Sequence, residues 1–206
     1  IEYTKMANDI GVDGIMIVTP YYSKPSQFGI LKHFEEVSKN TDLPIMAYNI
    51  PGRTATLIEI DTLEKLVDDI GIHSIKDAVG DLEFSKNELE ALKGKVDIYS
   101  GNDAETIEFM KMGGKGVVSV ASHVVGNEIY DLINHVLNDE IESAEHLQNQ
   151  LLPLFDLLFE EPSPGPVKYL LTKTWEDVGL PLMPITDISS KLANKLLDNF
   201  QKIKNN

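Results

Sequence analysis

The sequence predicts an α/β fold in which parallel strands alternate with helices. Short β-branched runs alternate with amphipathic segments at intervals of about 20 to 30 residues, which is the pattern of βαβ units. No G-x-G-x-x-G turn follows a predicted strand, and this disfavours a dinucleotide-binding sheet. The chain beyond Ile141 has helical periodicity throughout. A partial TIM (β/α)8 barrel with a C-terminal helical extension accounts for all three observations.

Five buried strands are predicted, each followed by a helix. The strands are 14–20, 44–50, 73–79, 96–101 and 116–122. The helices are 26–40, 60–70, 82–94, 103–113 and 127–139. A complete barrel has eight strands and about 250 residues, so these units fit strands 4–8 and leave roughly 90 residues for the other three. We therefore expect five βα units in residues 1–139 and a helical region in 140–206.

The helical region and the N-terminal segment have simple patterns. Three amphipathic stretches, 141–161, 167–175 and 188–204, predict three helices, with the sequence EPSPGP as a break after the first. The first ten residues, IEYTKMANDI, read as the middle of a helix and begin with Ile. We expect further sequence upstream.

Composition excludes several classes of function. With 18 basic against 33 acidic residues and a net charge of −15, the chain is a poor partner for nucleic acid. It has no apolar run of membrane-spanning length and no visible signal peptide, so the cytoplasm is the expected compartment. The absence of Cys excludes disulfides and thiolate metal sites, and the five His form no ligand-spaced cluster. We expect no metal.

Lys76 is the sharpest catalytic candidate. It lies in the third predicted strand, in the sequence SIKDAV, where its neighbours Ile75 and Ala78 are apolar, so its side chain should point into the barrel. Burial of an unpaired ammonium disfavours its charged form, and a neutral amine can attack a ketone to give a Schiff base. The alternative is a strand-edge lysine whose amine extends to solvent.

Other candidates lie where predicted strands end, which is the reactive face of a barrel. Tyr48 ends the second strand, where its hydroxyl could relay protons or simply be satisfied in the core. Arg53 follows in a Pro-Gly turn, as a carboxylate ligand or a surface arginine. Tyr21 and Tyr22 suit either the barrel mouth or a subunit contact. Gly101 is most simply a turn glycine.

Seven motifs together resemble the dihydrodipicolinate synthase family of class I pyruvate aldolases. They occur in the family's order over nearly the whole chain: VTPYYSKPSQ, LPIMAYNIPGRT, IKDAVGD, YSGND, GGKGVVSV, EEPSPGPVK and LPLMPIT. The resemblance implies condensation of pyruvate with L-aspartate semialdehyde in lysine (diaminopimelate) biosynthesis. It implies no separate cofactor, because pyruvate is held as a covalent Schiff base on Lys76.

The resemblance also implies a role for each candidate. Lys76 would form the Schiff base, Tyr48 would relay protons, and Arg53 would hold the carboxylate of the semialdehyde. Gly101 would line the pocket, and Val118 would contact pyruvate through its backbone. Tyr22 would complete the proton relay in the neighbouring subunit of a homo-oligomer, a dimer or tetramer. Tyr21 would lie near an allosteric lysine site.

Three alternatives remain at this point. N-acetylneuraminate lyase and sugar-acid aldolases of the same superfamily share the lysine and tyrosine, and the PGRT turn argues against the lyase. The family's Gly-Thr-Thr-Gly-Glu segment, which supplies a relay hydroxyl and backbone donors, has no counterpart in this chain. A non-catalytic truncated remnant that only self-associates is therefore also considered. An unrelated barrel is the third alternative.

Overall fold

The structure is a computed structural model that describes residues 1–205. It contains two compact units, each with its own buried core. The first comprises residues 1–102 and 108–118, and the second comprises residues 103–107 and the chain from Ser119 onward. Within the described residues, no helix combines the length and the apolar character needed to cross a membrane.

A four-stranded parallel sheet forms the centre of the first unit. Its strands lie in chain order, each paired with the next one along the sequence. They are β1 (Ile15–Val18), β2 (Ile45–Asn49), β3 (Ser74–Asp77) and β4 (Asp97–Ser100). The predicted α/β class and the first four strands are therefore confirmed, each strand being shorter than its apolar run.

The fifth predicted strand, 116–122, is wrong as a strand. Only Val117 forms a bridge to Ser100, through hydrogen bonds from Ser100 N to Gly116 O (2.9 Å) and from Val118 N to Ser100 O (2.8 Å). Beyond it, the backbone N–H groups of Val120 and Ala121 donate to the Asp103 carboxylate at 3.2 and 3.0 Å. These amides are thus directed to a side chain instead of a neighbouring strand, and the extended run ends.

Helices and turns connect the strands. Capping begins two helices where the sequence supplies a polar residue: the Ser26 hydroxyl accepts from Gly29 N, and the Asp81 carboxylate accepts from Glu83 N and Phe84 N. The helices through β4 are α1 (Glu2–Ile10), α2 (Gln27–Ser38), α3 (Pro51–Thr54), α4 (Ile60–Lys65) and α5 (Leu82–Ala91). A 3₁₀ turn (Asp103–Glu105) and α6 (Thr106–Lys111) follow β4.

Two helix predictions need correction at their ends. The predicted helix 60–70 is α4 followed by a π-helical turn, Leu66–Ile70, which stops at Gly71 in the left-handed region (φ 79°). Helix α5 ends three residues before Gly94, with Leu92 as its C-cap. Gly94 is also left-handed (φ 75°), so it turns the chain toward β4 without capping the helix.

The core of the first unit lies between the sheet and its helices. Residues on one face of the strands, such as Ala47, Ile75 and Ile98, are buried against Phe34, Leu63 and other apolar side chains from the helices. Side chains alternate across a strand, so the neighbours of these core residues belong to the opposite face of the sheet. Lys76 is one of those neighbours.

Polar residues end strands β2, β3 and β4 on the core side. Asn49 forms two hydrogen bonds with the backbone of Ile58, both of 3.0 Å. Asp77 accepts from Val79 N (2.8 Å), and the Ser100 hydroxyl is bonded to both backbone groups of Asn102. Each strand therefore ends in a side chain that fastens the loop following it.

The second unit is helical, as predicted. Its helices are α7 (Ser122–Leu137), α8 (Ile141–Leu157), α9 (Gly165–Thr174) and α10 (Ser190–Asn205). They pack through fully buried leucines, among them Leu132, Leu151, Leu154, Leu170 and Leu196. Helix α7 begins earlier than predicted and departs from helical geometry at Val125. Helix α8 is shorter than the predicted 141–161.

Candidate active site

One row of aligned residues crosses the face of the sheet that lies opposite the core. The parallel register pairs Val18 with Tyr48, Tyr48 with Lys76, and Lys76 with Tyr99. Because these residues occupy equivalent positions in neighbouring strands, their side chains share one face and one level of the sheet. A lysine flanked by two tyrosines is the chemical centre of that row.

Lys76 is buried in the middle of this row. Only 8% of its surface is exposed, although it carries an amine on a flexible chain. Its Nζ lies 4.1 Å from the centroid of the Tyr48 ring, over the ring face, which is a cation–π geometry for the protonated amine. This burial excludes a lysine whose amine extends to solvent, and the catalytic role of Lys76 stays a prediction.

Tyr48 is half-buried and has a perturbed acidity. Burial raises the pKa of its phenol, and the charge of Arg53 partly opposes that rise. The hydroxyl is consequently protonated at neutral pH and can donate a proton or a hydrogen bond. Tyr48 thus combines a ring that holds the lysine amine with a polar end suited to proton transfer.

Arg53 lies in the short helix α3, directly after β2. Pro51 occupies the first turn of this helix, and Ile50 O accepts hydrogen bonds from Arg53 N and Thr54 N, both of 3.0 Å. The arginine is exposed, yet close enough for its charge to act on Tyr48. An exposed guanidinium whose charge acts on Tyr48 can capture a carboxylate from solvent.

Gly101 lies directly against Lys76. A Cβ built on this residue would be 2.7 Å from Ala78 Cβ and 2.9 Å from Lys76 Cε, closer than real side chains approach. Its N–H donates to Asp77 O over 2.5 Å, which joins the ends of β3 and β4. The close approach, rather than an unusual φ, explains why glycine is needed here.

Val118 follows the bridge between Val117 and Ser100. Its N–H donates to Ser100 O (2.8 Å), so a backbone contact with a substrate would be made by its carbonyl. Tyr21 and Tyr22 follow β1 and are exposed, Tyr22 by 94% and in the left-handed region (φ 66°). The roles assigned to all three residues stay predictions.

Sequence reasoning missed two features. The first is Tyr99, which register places beside Lys76; a comparison of strand ends could have found it. The second is Glu88, a fully buried acid that acts electrostatically on Asp77. Glu88 lies four residues after Phe84 and four before Leu92, on the buried side of α5. A charged residue within the apolar face of a predicted helix was the sequence signal that could have identified it.

Metal ligands do not converge in the part of the chain that the structure describes. No group of three or more His, Cys, Asp or Glu side chains is placed there to hold an ion. The chemistry that the row of residues around Lys76 offers is that of an amine, two phenols and a nearby guanidinium. This set is suited to Schiff-base formation with a keto acid.

Comparison with known proteins identifies relatives of the whole chain. The family model for the dihydrodipicolinate synthetase family matches residues 1–203. A 4-hydroxy-tetrahydrodipicolinate synthase from Halalkalibacterium halodurans is 44% identical over 189 residues, which are 90% of this chain and 64% of that protein. The chain thus spans less than two thirds of the length of this relative.

Solved structures give the same result. A dihydrodipicolinate synthase from Bacillus anthracis superposes with a TM-score of 0.93 at 40% identity, over 97% of this chain and 68% of that one. A dihydrodipicolinate synthase from Acinetobacter baumannii, solved in complex with pyruvate, superposes with a TM-score of 0.93 at 32% identity. The match covers 98% of this chain and 70% of that one. On its sequence, its fold and the lysine-centred row of its sheet, the chain belongs to the dihydrodipicolinate synthetase family.

Proposed function

We propose that this chain carries the Schiff-base lysine of an enzyme that condenses pyruvate with L-aspartate semialdehyde in lysine (diaminopimelate) biosynthesis. The observation that carries the proposal is the placement of Lys76, a buried amine over the ring of Tyr48 on the open face of the sheet. Membership of the family and the pyruvate complex of the Acinetobacter relative support the choice of keto acid.

The first step forms a covalent bond between protein and substrate. The neutral Lys76 amine adds to the keto carbon of pyruvate. The former carbonyl oxygen leaves as water, with one proton from the amine and one from a donor, and a protonated imine remains. Tyr48 is the proposed donor because its hydroxyl is protonated at neutral pH and its ring lies under the amine.

The second step forms the carbon–carbon bond. Loss of a methyl proton turns the imine into an enamine, whose terminal carbon attacks the aldehyde carbon of the semialdehyde; the aldehyde oxygen then takes up a proton. Arg53 would hold the semialdehyde carboxylate at the exposed end of the site. Gly101 leaves space beside the lysine stem, and the carbonyl of Val118 would contact pyruvate.

The nature of the second substrate separates this proposal from its alternatives. N-acetylneuraminate lyase and sugar-acid aldolases also use a pyruvate imine, so Lys76 and Tyr48 do not distinguish them. Arg53 beside Tyr48 favours a small substrate with a carboxylate, and the relatives described above bear the synthase name. The synthase is therefore the proposed activity.

The proposal includes a larger assembly. Coverage of 68% of the Bacillus anthracis structure supports the interpretation of β1 to β4 and the bridge at Val117 as strands 4–8 of an eight-stranded barrel. The exposure of Tyr21 and Tyr22 supports their placement at a contact between subunits of a homo-oligomer, with Tyr22 completing the neighbouring proton relay and Tyr21 near an effector site. A cytoplasmic location remains a prediction.

Trapping of the imine tests the proposal directly. The chain is incubated with pyruvate, reduced with borohydride, and mapped by peptide mass spectrometry. We expect an adduct on Lys76 that is lost in Lys76→Ala and retained in Lys86→Ala, which removes an exposed lysine of α5. A folded chain without an adduct on Lys76 contradicts the proposal.

A second measurement identifies the acceptor. The adduct-forming protein is supplied with either aspartate semialdehyde or N-acetylneuraminate. Consumption of the semialdehyde that is weakened by Arg53→Ala supports the synthase. Cleavage of N-acetylneuraminate instead would assign the chain to the lyase.

A further inference from the structure

Two acidic side chains are buried together behind Lys76. Asp77 follows Lys76 in β3, so its side chain lies on the opposite face of the sheet, between the sheet and α5. Only 3% of Asp77 is exposed, and Glu88, on α5, is completely buried. Acidic residues are rarely buried to this extent without a partner, so the pair requires a physical explanation.

The hydrogen bonds of the two carboxyl groups differ sharply. Asp77 accepts from Val79 N (2.8 Å) through one oxygen and from the Ser85 hydroxyl (2.5 Å) through the other. Neither oxygen of Glu88 receives an N–H or hydroxyl donor from the described residues. The charge of the Asp77 carboxyl acts on Glu88, so the two buried acids lie close together. Two carboxyl groups can bond to each other only when one of them carries a proton.

Among the described residues, the groups that shift the acidity of Asp77 and Glu88 include no cation. Besides Ser85 and Val79, the groups that act on Asp77 are the acids Glu88 and Asp81, and Glu88 is affected by burial and by Asp77. The adjacent α4 carries Asp61, Glu64 and Lys65, and α5 itself carries Glu83, Lys86 and Glu90; of these only Glu64 is even partly buried. A proton is therefore the group that neutralises the pair.

Asp77 is also the mechanical link to Lys76. Its carbonyl accepts from Gly101 N (2.5 Å), and the next residue, Ala78, donates to Asn49 O (2.9 Å). The end of β3 is thus tied to β2 and β4 by its backbone and to α5 by the Asp77 side chain. A displacement of Asp77 necessarily moves Lys76, because the two residues share a peptide bond.

We propose that Asp77 and Glu88 share one proton, and that the resulting hydrogen-bonded pair fixes the end of β3 so that Glu88 acts as a positioning residue for Lys76. The proton-sharing part stands on the burial of both acids and on the Glu88 oxygens, which receive no donor among the described residues, and the positioning part rests on the proposed function. Loss of the shared proton would place two negative charges together in the core and push α5 from β3.

The direction of the pH dependence follows from the acidity of the pair. Burial, then the charge of Asp77, raises the pKa of Glu88 to about 9, and burial raises that of Asp77 as well. A carboxyl whose pKa is higher in the folded state than in the unfolded chain holds its proton more tightly when folded. The protonated carboxyl therefore contributes its full stabilisation of the folded state below the ordinary carboxyl pKa, and this stabilisation is lost as the pH rises toward 9.

Glu88→Gln tests the proton sharing. The amide has the shape of the acid, donates a hydrogen bond to Asp77 and cannot ionise. Urea unfolding gives the folding equilibrium constant at pH 6 and at pH 10. The factor by which this constant falls between the two pH values should be at least ten times larger in the wild type than in Glu88→Gln. Glu90→Gln, an exposed change on the same helix, should match the wild type. Equal pH dependence in all three proteins overturns the proton sharing.

A spectroscopic measurement keeps the test decisive if the variant folds poorly. Infrared spectra of the wild type at pH 7 should contain a protonated-carboxyl C=O band that disappears near pH 10. The band should remain in Glu90→Gln. Its absence from the folded wild type at pH 7 overturns the proposal without use of Glu88→Gln.

The role of Glu88 in positioning Lys76 is tested separately. The measurement is the fraction of Lys76 that carries the borohydride-trapped adduct, as a function of pH. The fraction trapped should decline more steeply above pH 9 in the wild type and Glu90→Gln than in Glu88→Gln. Identical profiles, with adduct present, overturn the positioning role and leave the proposed function intact. Absence of adduct in every protein contradicts the proposed function, while the unfolding and infrared measurements still decide the proton sharing.

Discussion

Gly101 shows how the absence of a side chain at one position leaves room for the stem of Lys76. The residue hydrogen-bonds to Asp77 O and packs on the stem of Lys76, so the lysine chain passes over it at van der Waals distance. Neither contact requires a left-handed backbone. The position excludes larger residues because the end of β3 lies against the residue that follows β4.

We expect Gly101→Ala to impair formation of the pyruvate adduct and to destabilise the end of β3. The added methyl would lie 2.7 Å from Ala78 Cβ, 2.9 Å from Lys76 Cε and 3.0 Å from Asp77 O, so the backbone after Lys76 must shift together with the lysine. The rate of borohydride-trapped adduct formation should fall at least tenfold. Gly126→Ala, in open space on α7, is the control and should react at the normal rate. An unaffected rate in Gly101→Ala would contradict the close packing.

Tyr48 is expected to act through both its ring and its hydroxyl. Tyr48→Phe keeps the ring under the lysine amine and removes the proton donor, so adduct formation should slow by about 10²-fold or more. Tyr48→Ala also removes the support of the amine and should be slower still. Single-turnover trapping measures both rates. A normal rate in Tyr48→Phe would exclude the phenol as the proton donor.

At the scale of elements, the turn after α6 is tightly packed at Gly114. A Cβ on Gly114 would lie 2.2 Å from the ring of Phe109, which is fully buried. Gly114→Ala should therefore destabilise the chain by about 1–3 kcal/mol, a cost typical of overpacking. Urea unfolding measures the change, and Gly126→Ala should be neutral or stabilising. A neutral Gly114→Ala would show that the Phe109 ring can move aside.

Sequence patterns predicted the elements that depend on local chemistry. The apolar runs marked β1 to β4, and the helical spacing over 26–40 marked α2, because both patterns are recorded within a few residues. The false fifth strand has the same β-branched composition. What ends it is the carboxylate of Asp103, distant in sequence, and no local pattern records that contact.

The site was predictable to the extent that it lies at strand ends. Lys76 and Tyr48 were candidates because of their positions in the predicted strands, and the structure places them at one level of the sheet. Gly101, expected at the pocket only from the family resemblance, packs against Lys76. Tyr99 and the Asp77–Glu88 pair were not found. Tyr99 depends on the register between β3 and β4, and the acid pair depends on which face of α5 packs on the sheet. Both features belong to the tertiary structure and cannot be predicted from a single sequence.

At the scale of the whole molecule, the sheet has an open edge. Among the described residues, β1 is paired only with β2, and Met16 in its centre is 47% exposed. An unpaired parallel edge with apolar side chains promotes association with another chain. This physical feature underlies the alternative of a self-associating remnant, and it can be tested apart from catalysis.

We expect the 206-residue chain to self-associate in a concentration-dependent way, and Met16→Lys to weaken that association, because a charged side chain opposes edge pairing. Light scattering coupled to size-exclusion chromatography measures the mass. Leu137→Lys, at an exposed position of α7, is the matched control and should behave as the wild type. A stable mass that is identical in the three proteins would contradict association through this edge.

The side chains that fasten each loop to its own strand have an evolutionary consequence. Asn49, Asp77 and Ser100 each hold the segment that immediately follows them. Recombination or insertion within one such segment leaves the side-chain anchors of the other two unchanged. The side-chain anchors therefore let each loop vary in sequence on its own, within the limit set by the backbone hydrogen bonds that join Gly101 to Asp77 and Ala78 to Asn49.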